Sequence, residues 1–174
     1  MIASTFLFCA GAVGWSLTEY GLHRGLGHKP RFKNPFTREH IRHHAKTDYF
    51  AKTSNKVLTA LGAGSVMFVG TMPFFGPMGA GAFTAGFLSS YALYEFVHRR
   101  LHTHGPQGPY SRFVRKHHFH HHFENPKMNH GVTTPIWDLV FGSYEPATLV
   151  HVPEKLKPRW MRTSAFDVRD YQIV

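Results

Sequence analysis

The stretch VLTALGAGSVMFVGTMPFFGPMGAGAFTAGFLSSYALYEFV, residues 57–97, decides the fold of this chain. It runs for 41 residues with Glu95 as its only acid and no Lys, Arg or His. A helix needs roughly 20 apolar residues to cross a bilayer, so the stretch holds two spans and little else. Pro73, Gly76, Pro77 and Gly79 lie at its centre, and proline and glycine interrupt helices. The expected structure is a tight hairpin of two helices, 57–75 and 80–97. A further span precedes it: residues 2–22 contain only Cys9, Glu19 and Tyr20 as ionisable side chains. Three spans return residues 23–56 and 98–174 to one side. All 20 Lys and Arg fall there, nine within 24–56 and eleven within 99–169. The positive-inside rule makes that side cytoplasmic and puts the N-terminus outside. The fold class read from the sequence is therefore all-α: an integral membrane protein with about three transmembrane helices and a cytoplasmic, histidine-rich helical cap.

At 174 residues the chain has room for one domain, 1–174. Its mean hydropathy of −0.26 hides the membrane character, because polar residues are packed into the two stretches between and after the spans. The first span lacks the basic start of a signal peptide and runs directly into Glu19 and His23. Cys9 is the single cysteine, so disulfides play no part. The net charge of +10 comes with no groove-reading motif, which argues against nucleic acid. Anionic headgroups and an acidic electron-transfer protein are the partners such a face suits.

The histidines carry the chemistry. There are 15, and ten fall into four clusters: His23/His28, His40/His43/His44, His98/His102 and His118/His121/His122. The order pair–triplet–pair–triplet divides the chain into two similar halves, each with a glutamate (Glu19, Glu95) just before its pair. Neutral imidazole is a good ligand for first-row metals, and eight or more converging rings are too many for one ion. Helix geometry supports the grouping. His98 and His102 are four apart and share a face. Adjacent residues point about 100° apart, so His43 and His44, or His121 and His122, can each serve a different neighbouring ion. His23 and His28, five apart, fit a regular helix poorly, and Gly25 and Gly27 give the backbone freedom between them. Thr37 is a candidate N-cap for a short helix carrying His40–His44. Residues 29–38 form a loop interrupted by proline, residues 110–123 a helix bearing the last triplet, and 135–141 a short helix; no strand pattern of consequence is visible. Glu19 and Glu95, at membrane depth, are candidates to accept the second ring N–H of a ligand histidine. His104, His130 and His151 belong to no cluster and are left out of the ligand set.

Order and spacing together resemble the integral-membrane fatty acid hydroxylase and sterol desaturase superfamily, and within it the fatty acid 2-hydroxylase branch. The stretches carrying the resemblance are WSLTEYGLHRGLGH (15–28), YALYEFVHRRLH (91–102), RKHHFHHHF (115–123) and GVTTPIWDLVFGSY (131–144). The family commonly has aspartate where this chain has Glu95. His117/His120/His121 also spells the last triplet. In the family an aromatic residue follows the final pair directly, and Phe123 then favours His118/His121/His122. The resemblance implies two iron ions held by the ten clustered histidines, O2 as co-substrate, and hydroxylation of a fatty acyl chain near its carboxyl end. Zinc would occupy such a site without supporting the reaction. Relatives often carry a fused cytochrome b5 domain that has no counterpart here, so the electrons are expected from a separate ferredoxin- or cytochrome-like protein. A carotenoid ring hydroxylase or a lipid or sterol desaturase of the same superfamily is the alternative. A histidine-rich metal transporter or storage protein is the non-enzyme alternative. It fits less well, because the spans carry no histidine before His23 and none from 57 to 97.

Overall fold

The computed structural model describes residues 2–29, 34–162 and 169–174. Residues 30–33 of the expected loop, and 163–168 of the tail, lie outside the described residues. The elements are α1 (Ile2–Leu22), α2 (Pro35–Ala45), α3 (Thr53–Thr103), α4 (Gly108–Phe123), α5 (Ile136–Val140), β1 (Val150–Val152) and β2 (Tyr171–Ile173). A π-helical turn, His23–Gly27, extends α1. The chain divides into two compact units, one of residues 1–18 and 51–95, the other of 19–50 and 96–174.

The first unit is apolar and helical. Among the described residues two helices are long and apolar enough to cross a membrane, Ile2–Gly27 and Thr53–Thr103. At 1.5 Å per residue an unbroken 51-residue helix would be roughly 75 Å long. It is broken at Gly76, whose φ of 64° and ψ of 173° only glycine adopts readily. Pro77 follows, placed where a new helix begins and its missing N–H costs nothing. The arms fold back on each other: Lys56 pairs with Glu95, and a Cβ on Gly64 would meet Leu88 at 3.0 Å. Both contacts centre on residue 76, so the expected hairpin is present, with its turn compressed to one residue. Helix α1 runs parallel to the second arm. Two glycines set their spacing: a Cβ on Gly11 would lie 2.0 Å from the carbonyl oxygen of Phe83, and one on Gly86 would lie 1.9 Å from that of Phe8. Small residues at such crossings let backbones approach where no hydrophobic force drives helices together. Trp15 closes the bundle, with edge contacts to Phe87 at 5.3 Å and Tyr91 at 4.7 Å. The outer surface stays greasy; Phe6, Val13, Leu58, Val66 and Phe74 are all exposed.

The second unit is built around α4. Phe119 is fully buried and packs with Val150, Val152, Met161 and Tyr171. The last two strands pair in parallel, Val150 with Tyr171 and Val152 with Ile173. This pair is a departure from the all-helical expectation. Three-residue strands are too short to show alternation, and they form because the tail returns to cover Phe119. Asp170 secures it through Arg112 and through Lys116 at 3.3 Å. Arg115, buried, donates to the carbonyl oxygens of Leu101 (2.9 Å), Arg100 (3.2 Å) and His104 (2.6 Å). It therefore engages the Leu101 carbonyl, left open at the end of α3, and ties that end to α4. The N-cap of α2 is Asn34, not Thr37: the Asn34 side chain accepts from the Thr37 N–H at 2.9 Å, with Pro35 in the first turn. The Thr37 hydroxyl instead donates to the carbonyl of Leu26 at 3.0 Å, tying α2 to the π-turn.

Candidate metal centre

Ten histidines converge in the second unit as two groups of five. His23, His28, His40, His44 and His121 form one group, and His43, His98, His102, His118 and His122 the other. Within each group one ligand atom per residue lies within 4.8 Å of all the others. These are the ten residues of the four sequence clusters. Adjacent histidines separate as helix geometry requires: His43 and His44 enter different groups, as do His121 and His122. His117 and His120 join neither group; His117 meets Asp138 at 3.0 Å and His120 meets Glu124 at 3.3 Å.

The π-turn answers the five-residue spacing of the first pair. On an α-helix His23 and His28 would point roughly 140° apart. Wider i→i+5 hydrogen bonding between them brings the rings to 5.5 Å, nearly parallel. Gly27 makes room for a third ring, since a Cβ there would press on His40 at 2.9 Å.

The nitrogen spacings discriminate between a hydrogen-bonded network and a metal cage. His98 Nε2 lies 2.9 Å from His43 Nε2, which lies 3.1 Å from His102 Nε2, which lies 2.9 Å from His118 Nε2. A neutral imidazole nitrogen has either one proton or one in-plane lone pair, so these three consecutive contacts cannot all be hydrogen bonds. In the other group His28 Nε2 stands 2.8 Å from His121 Nε2 and 3.0 Å from His40 Nε2. Nitrogens at right angles around a common ion, with bonds of ~2.1 Å, stand about 3.0 Å apart, whereas tetrahedral ones stand about 3.4 Å apart. His23 Nε2, His44 Nε2 and both ring nitrogens of His122 are buried with no hydrogen-bond partner. Orphaned buried acceptors are costly, and a cation relieves the cost. Five donors per group also exceed the four of a structural zinc site. The residues fit two metal ions.

Several rings are held from behind. His43 Nδ1–H donates to the Tyr49 carbonyl at 2.8 Å and His121 Nδ1–H to that of Met128 at 2.7 Å. His23 Nδ1–H donates to the carbonyl of His130. Each bond leaves Nε2 with its lone pair toward the group. Burial, then repulsion from neighbouring rings, holds His40, His118, His121 and His122 well below the ordinary imidazole range. His28 falls to about 4, chiefly by burial and secondarily through His130. The rings are therefore neutral, as ligands must be.

The two glutamates have other partners than expected. Glu95 receives Lys56, and Glu19 accepts the Val132 N–H at 3.0 Å. Backbone carbonyls, not these acids, take the Nδ1–H groups of His23, His43 and His121. The organising acid is Asp138, which the sequence reading did not single out. Fully buried, it accepts from the N–H groups of His130 and Gly131 and from the Ser143 hydroxyl, each at 2.8 Å, and from His117 at 3.0 Å. Burial alone would raise its pKa, but these donors, His117 foremost, hold it below the ordinary value. It thus fixes the loop whose carbonyls at 128 and 130 orient His121 and His23. An acid inside the apolar run PIWDLVF was the available signal. Of the other three of the five histidines outside the clusters, His104 is exposed and His151 pairs with Glu124. His130 is buried beside the first group, 5.1 Å from His121 between ring centres.

Residues 8–143 match the fatty acid hydroxylase family. The chain is 32% identical over 149 residues to the ceramide very long chain fatty acid hydroxylase of Saccharomyces cerevisiae, covering 80% of this chain and 38% of that protein. It is 33% identical over 149 residues to human fatty acid 2-hydroxylase, covering 80% and 40%. To the dihydroceramide fatty acyl 2-hydroxylase of Arabidopsis thaliana it is 31% identical over 144 residues, covering 76% and 58%. The chain thus spans roughly two fifths to three fifths of these relatives' lengths. A solved structure of full-length Scs7p, with only its hydroxylase domain visible, superposes with a TM-score of 0.68 at 30% identity, covering 83% of this chain and 57% of that one.

Proposed function

The chain belongs to the fatty acid hydroxylase family, and from that premise we propose that it is an O2-dependent membrane hydroxylase that places a hydroxyl on C2 of a fatty acyl chain. The observation carrying this reading is the convergence of ten imidazoles into two five-donor groups. The ten histidines are the ligands of two iron ions: His23, His28, His40, His44 and His121 for one, His43, His98, His102, His118 and His122 for the other. When bound, the ions supply the O2 activation that no side chain of this chain can perform. The protein keeps buried rings of both groups neutral and aims three of them, His43, His121 and His23, through the carbonyls of Tyr49, Met128 and His130. Its burial of His102, His118 and His121 excludes water from the reacting region. Glu19 holds the 130s loop in place from α1, through Val132.

Residues 1–174 act as one domain with three spans, 2–22 and the two arms of α3. The segregation of Lys and Arg supports a cytoplasmic metal site and an external N-terminus. The acyl substrate then enters laterally from the bilayer. Electrons come from a separate acidic ferredoxin- or cytochrome-like protein, drawn to the basic face. The names of the relatives support an acyl substrate over a carotenoid ring. The test loads purified protein with iron, supplies O2, a reductase system and acyl lipids, and identifies products by mass spectrometry. A 2-hydroxyacyl lipid is the expected product. Hydroxylation of a carotenoid ring, or a double bond in place of the hydroxyl, would replace this reading, and O2 consumption with none of these substrates would remove it.

A further inference from the structure

Helix α5 is inside out. Its polar residue Asp138 is fully buried, and Ser143 just beyond it is 2% exposed, whereas Ile136, Leu139, Val140 and Phe141 are 49–60% exposed. Two aromatics of α4 extend the face. Tyr110 is 56% exposed and its hydroxyl donates to the Thr133 carbonyl at 2.9 Å. Phe113 is 41% exposed and stacks on His117, the ring that meets Asp138. A water-facing helix turns its apolar side inward. Contiguous exposed apolar side chains over a buried carboxylate mark a contact surface.

The neighbours of this face identify what covers it. Tyr20, in the last turns of α1, stacks on Phe141 with ring centres 5.4 Å apart. Arg24 donates to the Phe141 carbonyl at 3.2 Å. Both belong to the segment Ile2–Gly27, which is long and apolar enough to span a bilayer, so α5 lies at the depth where that span ends. Tyr, Trp and Arg gather at that depth because each joins an apolar body to a polar tip. Trp137 and Phe141, stacked at 6.1 Å, fit the same pattern.

We propose that the exposed face of α5, with Tyr110 and Phe113, is seated in a phospholipid leaflet as a monotopic contact beside the end of α1. The buried Asp138 holds the site loop from one side of the segment while lipid holds the other, so the metal centre is referenced to the membrane surface. The inference rests on α1 being inserted, and the test separates the two. A nitroxide is attached to Leu139→Cys in a Cys9→Ser chain, and separately to the native Cys9, which is exposed on α1. A label at Glu154→Cys, on an exposed polar turn, reports water. All are reconstituted in phosphatidylcholine–phosphatidylglycerol vesicles, and relaxation by O2 is compared with that by a water-soluble nickel chelate. The expected result is O2-dominated relaxation at 139, intermediate between positions 9 and 154. Nickel-dominated relaxation at 139 with an O2-dominated Cys9 would overturn the inference and leave the spans intact. Nickel dominance at both would remove the membrane reading and the inference together. Spin–spin broadening at 139 that disappears on dilution with unlabelled chains would assign the face to a second copy instead. Val140→Cys, equally exposed, repeats the measurement should the first variant lose its bound metal.

Discussion

Asp138→Asn should weaken one metal site and spare the other. The carboxylate accepts four hydrogen bonds, two on each oxygen: His130 N–H and Ser143 on Oδ1, Gly131 N–H and His117 on Oδ2. Asparagine keeps the shape and one acceptor oxygen, but its NH2 must face one backbone N–H, of His130 or of Gly131, whichever way it turns, while Ser143 or His117 must turn acceptor. Bonds to a charged, buried acceptor contribute about 1.5–3 kcal/mol each, so losing the backbone bond alone costs roughly that much. That strain falls on residues 128–131, whose carbonyls accept from Nδ1 of His121 and His23. Both rings belong to the first five-donor group. The ring held from behind in the second group, His43, uses the Tyr49 carbonyl and has no share in this loop. Loss of such outer support typically costs 10–100-fold in metal affinity. Chelator competition on metal-loaded protein should therefore show two ions released together in the parent and one released 10–100-fold more readily in the variant. Equal weakening of both ions, or of neither, would show that Asp138 does not orient the first group.

What the sequence made legible follows from what is local. The long apolar helices were readable because a bilayer core tolerates almost no charge, and 57–97 has only Glu95. The ten converging histidines were readable because chelation on a helix requires spacings of three or four. The five-residue gap from His23 to His28 looked awkward, and the chain resolves it by changing helix type. Other features depend on where distant backbone ends up. Nothing in the sequence places the Met128 carbonyl behind His121, because that placement is made by Asp138, ten residues further on. Glu95 was read with His98, three positions away, yet its partner Lys56 lies across the hairpin, a neighbour only once Gly76 turns the chain. The Asn34–Pro35 pair did announce the start of α2, since asparagine caps and proline suits the first turn. A nearby threonine was read in its place.

The remaining predictions concern the same groups. His43→Ala and His44→Ala, neighbours in sequence, should each lower metal content, but at different sites, so that the double variant loses both ions; His151→Ala should leave metal content unchanged, as measured by elemental analysis. Gly11→Ala and Gly86→Ala should each destabilise the detergent-solubilised protein by about 1–3 kcal/mol through forced helix separation, while Gly81→Ala, with nothing within 4 Å of its new methyl, should not; equal thermal midpoints in the three would refute the close crossing. Acid should unfold the metal-stripped protein through its histidines. His28 titrates at about 4 and His44 at about 2 in the folded chain, against an ordinary 6.5, because burial first and neighbouring rings second disfavour the cation. Both folded values lie below the unfolded one, so the unfolded chain binds protons first. The stability contributed by the neutral rings is then complete above about 6.5 and is lost progressively as pH falls toward 4 and below. Thermal midpoints of stripped protein should be level above that pH and fall steadily beneath it. Bound metal competes with the same protons and should shift the fall to lower pH. A midpoint that stays level from pH 7 to 5 in stripped protein would mean that the folded rings take up protons as readily as the unfolded chain does, and the cage of neutral donors would lose its basis.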